Sequence, residues 1–344
     1  MSNKTFSSIS LAVSLFSAIL FLGMITACSL NNKQNGSGEV MGGFVGGNEG
    51  LTIHMIDGAP PSVITDKATT PFSFIMELEN VGEARVGPGT DNPLVIGRLT
   101  GIMYSNFGLT SANAAKTLTS KLESAKKNFD GTILPGEIGE IGFDNLVYKP
   151  GVPDSLALTI RGEVCYDYES DATVKICVKR DLFESVEDTT LCSMRGPRPI
   201  GSSGAPLHIT RVEEAPISND TIQLNLVIEH LGNGVFFYRN TPKDLFDACV
   251  FDELDPNIYK LEVFVEPIQK DLYDVKCLRL DNQIAGGGAS GVVRMFEGAP
   301  LTLTCFLKRT KPMEVRVYQD ILNIRLKYRY GEFIEVPILV QSHP

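Results

Sequence analysis

The chain contains no tryptophan and only four histidines among its 344 residues. The lack of tryptophan argues against a carbohydrate site, because such sites commonly stack the sugar on an aromatic plane. The histidines are scattered, and no pair has the i, i+4 spacing of a helical zinc motif. They are His54, His208, His230 and His343. With no candidate catalytic residue or metal ligand among them, we predict that the protein is not an enzyme and needs no cofactor.

Basic residues are also few, with 31 Lys and Arg against 41 Asp and Glu and a formal net charge of −10. An acidic surface repels a phosphate backbone, so we predict no nucleic-acid partner. Residues 286–291 formally match G-x-G-x-x-G, but a β-like run follows them instead of the helix that a dinucleotide site requires. We therefore predict a hairpin loop there and no nucleotide. Residues 201–204 lack the spacing of a G-x-S-x-G nucleophile elbow.

The first 28 residues have the form of an export signal. Residues 9–25 carry no charge, and the run ends in a lipobox-like Ile25-Thr26-Ala27-Cys28. We predict that residues 1–28 are a signal peptide with lipidation at Cys28; the alternative is an uncleaved transmembrane anchor, since about 20 apolar residues span a bilayer. Either way, we predict a chain held on the extracellular face of the cell membrane. Residues 29–50 are rich in Gly, Asn and Ser and predict a flexible tether.

No C-x-x-C pair occurs among the seven cysteines, which argues against a zinc ribbon or a thioredoxin-like site. With Cys28 set aside, the even number that remains in an exported chain favours disulfides. These six are Cys165, Cys177, Cys192, Cys249, Cys277 and Cys305. We predict Cys165–Cys177 across a hairpin, because the two would lie opposite each other about a turn near residue 171. We also predict Cys277–Cys305 and Cys192–Cys249.

From Leu51 onward the pattern is that of β-strands. Apolar residues alternate with polar ones over 72–78 and over 222–228, which is the period of a half-buried strand. One segment differs: residues 111–129 place apolar residues at three- and four-residue spacing and predict an inserted amphipathic α-helix. Its apolar positions are Ala115, Leu118, Leu122, Ala125 and Phe129. The Pro- and Gly-rich residues 197–206 predict a linker between domains 51–196 and 207–344.

An internal repeat supports two similar domains. Tyr166-x-Tyr168 recurs as Tyr328-x-Tyr330, and each is followed after the same gap by alternating Val and Ile residues. We interpret the repeats as hairpins over 162–178 and 324–340. Short strands at regular spacing then predict an all-β protein of two tandem immunoglobulin-like β-sandwiches, preceded by the N-terminal signal or anchor helix.

The motif Asn80-Val81-Gly82 and the turn over 134–137 resemble those of CARDB-like immunoglobulin-fold modules. The stretches 164–178 and 203–213 are similar to uncharacterised exported proteins of DPANN archaea. The resemblance implies tandem immunoglobulin-like domains in an exported protein, and it implies no activity.

Two further features bear on partners. An acidic cluster surrounds Cys249, and we weigh a loop site for a hard cation against a solvated acidic loop, favouring the latter because the order matches no EF-hand. The cluster consists of Asp247, Asp252, Glu253 and Asp255. Asn35 and Asn219 begin glycosylation sequons. We expect a surface-anchored, non-enzymatic protein for adhesion, cell-envelope structure or protein–protein interaction. The alternative is a glycan- or cation-binding module of an exported complex.

Overall fold

The computed structural model describes residues 43–182 and 192–343, and within them the chain is built from twenty strands and three single-turn 3-10 helices. The all-β prediction is confirmed. In chain order the strands are β1 (Leu51–Met55), β2 (Val63–Thr65), β3 (Phe72–Asn80), β4 (Val95–Thr100), β5 (Ala115–Thr117), β6 (Lys126–Lys127), β7 (Ile133–Leu134), β8 (Ile138–Leu146), β9 (Ser155–Lys179), β10 (Gly196–Pro197), β11 (Ile200–Ser202), β12 (Leu207–Pro216), β13 (Thr221–His230), β14 (Val235–Phe237), β15 (Lys260–Pro267), β16 (Tyr273–Cys277), β17 (Asn282–Ile284), β18 (Gly288–Arg294), β19 (Leu301–Arg309) and β20 (Val317–Gln341). The 3-10 helices are Tyr104–Phe107, Leu245–Asp247 and Phe296–Gly298.

Three sheets form the body, and a separate two-stranded hairpin joins β6 to β7. In a ten-stranded sheet, seven strands follow the order β17-β18-β15-β20-β9-β4-β5. The other three pair with its two central strands: β2 and β14 with β20, and β11 with β9. A three-stranded sheet, β1-β3-β8, covers β4 and β9, since Met76 of β3 lies against the backbone of Gly97 and Gly162. A five-stranded sheet has the order β10-β12-β13-β19-β16. Such layers are consistent with a β-sandwich; the assignment of 51–196 and 207–344 to immunoglobulin-like domains stays a prediction.

The centre of the large sheet is a ribbon of two 25-residue strands, β9 and β20, which pair antiparallel along their whole length. The predicted hairpins over 162–178 and 324–340 are therefore wrong, because each segment is one continuous strand. Residue 171, placed at a turn by the sequence, instead lies opposite Arg325, and Arg325 Nε donates to Asp171 Oδ1 at 2.8 Å. This cross-strand ion pair continues the strand where a turn was expected.

The repeated tyrosines meet at the middle of this ribbon, since Tyr166 pairs with Tyr330 and Tyr168 with Tyr328. All four side chains are buried and point to the same face. Each hydroxyl accepts a backbone N–H from a covering segment: Leu51 at 3.2 Å, Ala84 at 3.3 Å, Leu207 at 3.4 Å and Gly234 at 2.7 Å. Burial raises the pKa of all four phenols. The two copies of the sequence repeat thus pack against each other in the same hydrophobic cluster.

Two glycines permit this packing. Gly82 and Gly232 follow β3 and β13, and a Cβ at either position would lie 2.0 Å from Tyr168 Oη or 2.3 Å from Tyr330 Oη. The same four-residue pattern, Glu-x-Val/Leu-Gly, ends both strands at residues 79–82 and 229–232. Only a residue without a side chain allows the chain to pass this close to a buried ring.

We expect Gly82→Ala to lower the free energy of unfolding by about 1–3 kcal/mol, the usual cost of overpacking a well-packed core. Gly232→Ala should have a similar effect, because its added carbon meets the equivalent tyrosine. Urea unfolding measures the change. Gly142→Ala is the matched control, since its Cβ would meet no atom closer than 3.5 Å. An equal loss in the control would contradict the steric explanation.

The helix predicted over 111–129 is wrong: these residues form β5, β6 and intervening turns. Four of the five apolar positions are buried as the pattern requires, namely Ala115, Leu118, Leu122 and Ala125, but Phe129 is fully exposed. Turns that bring a side chain back to the core every three or four residues give the same spacing of apolar residues as a helix does. Hydrogen bonds to other strands, such as Leu118 N to Val95 O, hold this segment in its extended path.

Two segments that the sequence assigns to flexible connections belong to the body. Residues 43–50, at the end of the predicted tether, lie against it, and the backbone N–H groups of Val45 and Gly46 donate to Glu83 at 2.9 and 3.1 Å. The predicted linker 197–206 contains β11, which pairs with β9. The described residues, 43–182 and 192–343, belong to one compact unit.

Candidate functional surface

One face of the β9–β20 ribbon carries a row of paired charges, which we call the charge ladder. Four acid–base pairs lie at directly opposed positions of the two strands. Charges interact most strongly across a sheet when they are directly opposed, so such pairs influence the register. The pairs are Arg161–Glu335 at 2.6 Å, Asp167–Arg329 at 2.9 Å, Glu169–Lys327 at 3.9 Å and Asp171–Arg325 at 2.8 Å. A shift of the register by two residues in either direction would leave two opposed acid–base pairs instead of four, so the ladder favours the observed alignment of the two strands.

The central part of the ladder is covered by a loop, residues 238–258, which we call the clamped loop. Arg329 donates from Nη2 to Asn240 O at 2.8 Å and from Nη1 to Ala248 O at 3.3 Å, while its Nε binds Asp167. Arg98 of β4 binds Glu163 at 2.6 Å and donates to Phe246 O at 2.7 Å. Arg98 also donates to the carbonyl oxygen of Cys249. Two buried arginines thus hold a segment that contains no strand and a single 3-10 turn.

A disulfide between Cys165 and Cys249 fixes the same loop to β9. The predicted pairings Cys165–Cys177 and Cys192–Cys249 are therefore wrong, because Cys177 pairs with Cys192. Cys165 and Cys177 lie on the same face of one continuous strand, so the twelve residues between them span up to about 40 Å. The third predicted pair, Cys277–Cys305, is present and joins directly opposed residues of β16 and β19.

The clamped loop presents apolar side chains at its outer surface. Leu254 is 88% exposed and Val250 is 37% exposed. Between its limbs lies a depression of about 450 Å³, which Pro242, Lys243 and Asn257 help to line. An exposed leucine on a loop whose backbone is fixed from below is a surface suited to contact with another molecule.

The acidic residues of the loop act within it. Asp252 Oδ1 accepts from Leu254 N at 2.9 Å, and Asp255 Oδ1 accepts from Asn257 N at 2.8 Å, both bonds that stabilise turns. Across residues 43–182 and 192–343, no group of three or more His, Cys, Asp or Glu side chains is arranged to hold a metal ion. The cation hypothesis for Asp247, Asp252, Glu253 and Asp255 therefore gains no support.

The remaining candidates from the sequence lie apart from one another. His208 Nε2 is 3.0 Å from Gly47 O and His230 Nε2 is 2.9 Å from Tyr330 Oη, and burial lowers the pKa of both rings. The glycine run 286–291 lies in the β17–β18 hairpin, as predicted: residues 285–287 form its turn, and residues 288–291 begin β18. Ser203 Oγ accepts the backbone N–H of Asp171 at 2.9 Å.

Asn219 lies exposed in the turn between β12 and β13, so its side chain is accessible to a modifying enzyme. Cys28 and Asn35 lie outside the described residues. No helix within the described part of the chain is long and apolar enough to cross a membrane.

Two carboxyl groups lie where water has little access: Glu214 is 2% exposed, and Glu332 is partly buried. Burial, reinforced by the negative charge of Glu49, raises the pKa of Glu332 to about 7, although Tyr166 bonds to it. Burial also raises the pKa of Glu214 to about 7, against the opposing effect of Arg198. Both groups bind their protons more tightly in the folded state than in the unfolded state.

A carboxyl group whose pKa is higher in the folded state contributes its full stabilisation below its unfolded-state pKa, which is 4.5 for Glu332. That contribution to the free energy of unfolding is lost as the pH rises towards the folded-state pKa of about 7. Between pH 5 and pH 8, we expect Glu332→Gln to lose less stability than the wild type, by at most about 3 kcal/mol. Unfolding curves of both proteins at the two pH values measure this difference. Glu140→Gln, at an exposed position of β8 outside the charge ladder, is the control. Parallel pH profiles for wild type and Glu332→Gln would contradict the assignment.

Comparison with known proteins provides no family. No protein-family model matches the chain, and no curated protein matches it. Among solved structures it is similar to the secreted serine protease VesC from Vibrio cholerae, with 9% identity and a TM-score of 0.17 over 80% of this chain. The match spans 49% of that protease, about half its length. A likeness at this TM-score carries no argument about fold or activity.

The residues that hold the clamped loop were not predicted from the sequence. Arg98, Glu163, Asp167 and Arg329 are distant in the chain, and only folding brings them together. The signal was nevertheless present: acidic residues occupy 163, 167, 169 and 171, and basic residues occupy 325, 327 and 329. Complementary charges at alternate positions of two β-like segments predict that the segments pair.

Proposed function

We propose that the chain is an exported, surface-anchored protein that works without catalysis, in adhesion, cell-envelope structure or protein–protein association. Its recognition surface in this proposal is the clamped loop, residues 238–258, and its partner is a protein. Three disulfides support an oxidising, extracellular environment, because disulfides are rare in proteins of the reducing cytosol.

The observation that carries the proposal is the contrast between how the loop is held and what it exposes. Arg98, Arg329 and the Cys165–Cys249 disulfide fix its backbone, yet Leu254 remains 88% exposed. Fixing a loop before binding reduces the entropy that binding costs. An apolar anchor on a fixed backbone suits a protein partner better than a glycan, because none of the residues that line its depression is aromatic.

Affinity capture of the intact protein from its own cell surface identifies the partner. We then expect Leu254→Asp to weaken binding by about 30-fold, as the loss of a central anchor does at other interfaces. Phe296→Asp is the matched control, since Phe296 is 79% exposed but lies outside the loop. Equal binding by wild type and Leu254→Asp would refute the assignment of this surface.

A further inference from the structure

A small hairpin, residues 126–134, projects from the body. Its two strands, β6 and β7, pair with each other and with no other strand of the described chain. Every residue from 126 to 135 is exposed. Phe129 near the tip has no neighbour over its ring, with an exposure of 107%, and Ile133 and Leu134 are about half exposed at 57% and 49%.

The tip is held in place by its own hydrogen bonds. Asn128 N donates to Thr132 O at 2.8 Å, and Asp130 Oδ1 accepts from both Thr132 N at 2.9 Å and Thr132 Oγ1 at 2.7 Å. A two-stranded hairpin is only marginally stable by itself, so these bonds give the turn a defined shape. The structure therefore keeps a phenylalanine in water on a prearranged turn, which is unfavourable until another apolar phase covers it.

The base of the hairpin lies beside the point where the N-terminal segment joins the body. Ala125 N donates to Gly82 O at 2.9 Å, and the next residue, Glu83, accepts the backbone N–H groups of Val45 and Gly46. Of the predicted tether 29–50, only residues 29–42 lie between Cys28 and the body, and they cannot reach further than about 50 Å even when fully extended. A chain anchored through Cys28 therefore keeps the base of this hairpin within reach of its membrane.

The charge of the hairpin differs from that of the whole molecule. Lys126 and Lys127 lie at its base in a chain of net charge −10, and its single acid, Asp130, accepts hydrogen bonds within the turn. Lys126 Nζ lies 3.3 Å from Glu123 Oε2, just outside the hairpin, so Lys127 is the lysine that the hairpin contributes without this ion pair. Basic residues beside exposed apolar ones suit a surface with anionic headgroups above hydrocarbon. A protein partner would account for the apolar side chains, but not for their position beside the tether.

We propose that the hairpin 126–134 places Phe129 in the interface of the membrane to which the chain is anchored, with Lys126 and Lys127 at the level of anionic headgroups. This inference rests on the proposed surface anchoring. Its effect is to orient the body on the membrane, so that the protein is held at two points.

The absence of tryptophan makes a direct test possible, because Phe129→Trp introduces the sole indole of the chain. The full-length variant, extracted from membranes, is reconstituted into vesicles of phosphatidylcholine with phosphatidylglycerol. We expect the indole emission in vesicles to be shifted to the blue relative to its emission in detergent-free buffer. We also expect lipids brominated near the headgroup to quench it. Phe296→Trp, at a site that is 79% exposed, is the control and should show neither effect. Lys126→Gln with Lys127→Gln should reduce the shift.

Vesicle flotation separates this inference from the anchoring on which it depends. If the Phe129→Trp protein floats while its indole keeps a water-exposed spectrum, the inference is overturned and the anchoring stays intact. Protein that does not float refutes the anchoring and the inference together. A blue shift of the indole that needs added envelope protein, and not lipid alone, assigns the hairpin to a protein partner and also overturns the membrane proposal.

Discussion

Arg329→Met is expected to lower the free energy of unfolding by about 3–5 kcal/mol, the usual cost of removing one member of a buried ion pair. The Arg329 and Asp167 side chains are only 2% and 7% exposed. Without the guanidinium, Asp167 keeps Arg239 as its nearest cation at 3.7 Å, and two loop carbonyls lose their donor. Chemical denaturation gives the stability, and amide exchange reports whether residues 238–258 loosen.

Arg325→Met provides the matched control, since it breaks the pair four residues away on the same strand. There the Arg325 and Asp171 side chains are 49% and 42% exposed, and we expect a loss of no more than about 1 kcal/mol. Similar losses for the two variants would show that burial does not determine the strength of the ladder, and would contradict the clamping role given to Arg329.

Cys165→Ala combined with Cys249→Ala should cost about 4–5 kcal/mol, because the disulfide closes a loop of 84 residues and so restricts the unfolded chain strongly. Alanine avoids burying a hydroxyl at two sites that are at most 1% exposed. We also expect faster amide exchange over 238–258 and weaker partner binding, since the loop loses its covalent attachment.

The control is Cys277→Ala with Cys305→Ala, which opens a loop of 28 residues and should cost about 3–4 kcal/mol. It leaves the clamped loop unchanged and should therefore not alter its exchange or its binding. If the two double variants changed exchange over 238–258 equally, the specific role of Cys165–Cys249 would be wrong.

Sequence patterns predicted the faces of the strands well and their partners poorly. The alternation over 72–78 correctly gave buried Phe74, Met76 and Leu78, and the parity of Cys165 and Cys177 correctly put both on the face opposite the tyrosines. Period-two patterns identify a face because side chains alternate along a strand. They do not reveal whether a long segment folds back on itself or pairs with a distant strand.

The errors over 111–129 and 162–178 have a common physical origin. Apolar spacing in the first segment fits both a helix and a series of turns, and tertiary hydrogen bonds such as Leu122 N to Val86 O decide between them. In the second, Asp171 is a common turn residue, but its ion pair with Arg325 holds it in a strand. Both deciding contacts lie far away in sequence, beyond the reach of a local pattern.

Non-reducing tryptic mapping of protein taken from its own cells tests the account most directly, because an exported chain with a covalently fixed loop requires specific disulfides. Trypsin separates the relevant cysteines into peptides 162–175, 176–179, 181–195 and 244–260. The account predicts that 162–175 is linked to 244–260 and that 176–179 is linked to 181–195. Free thiols at these positions, or 162–175 linked to 176–179, would contradict it.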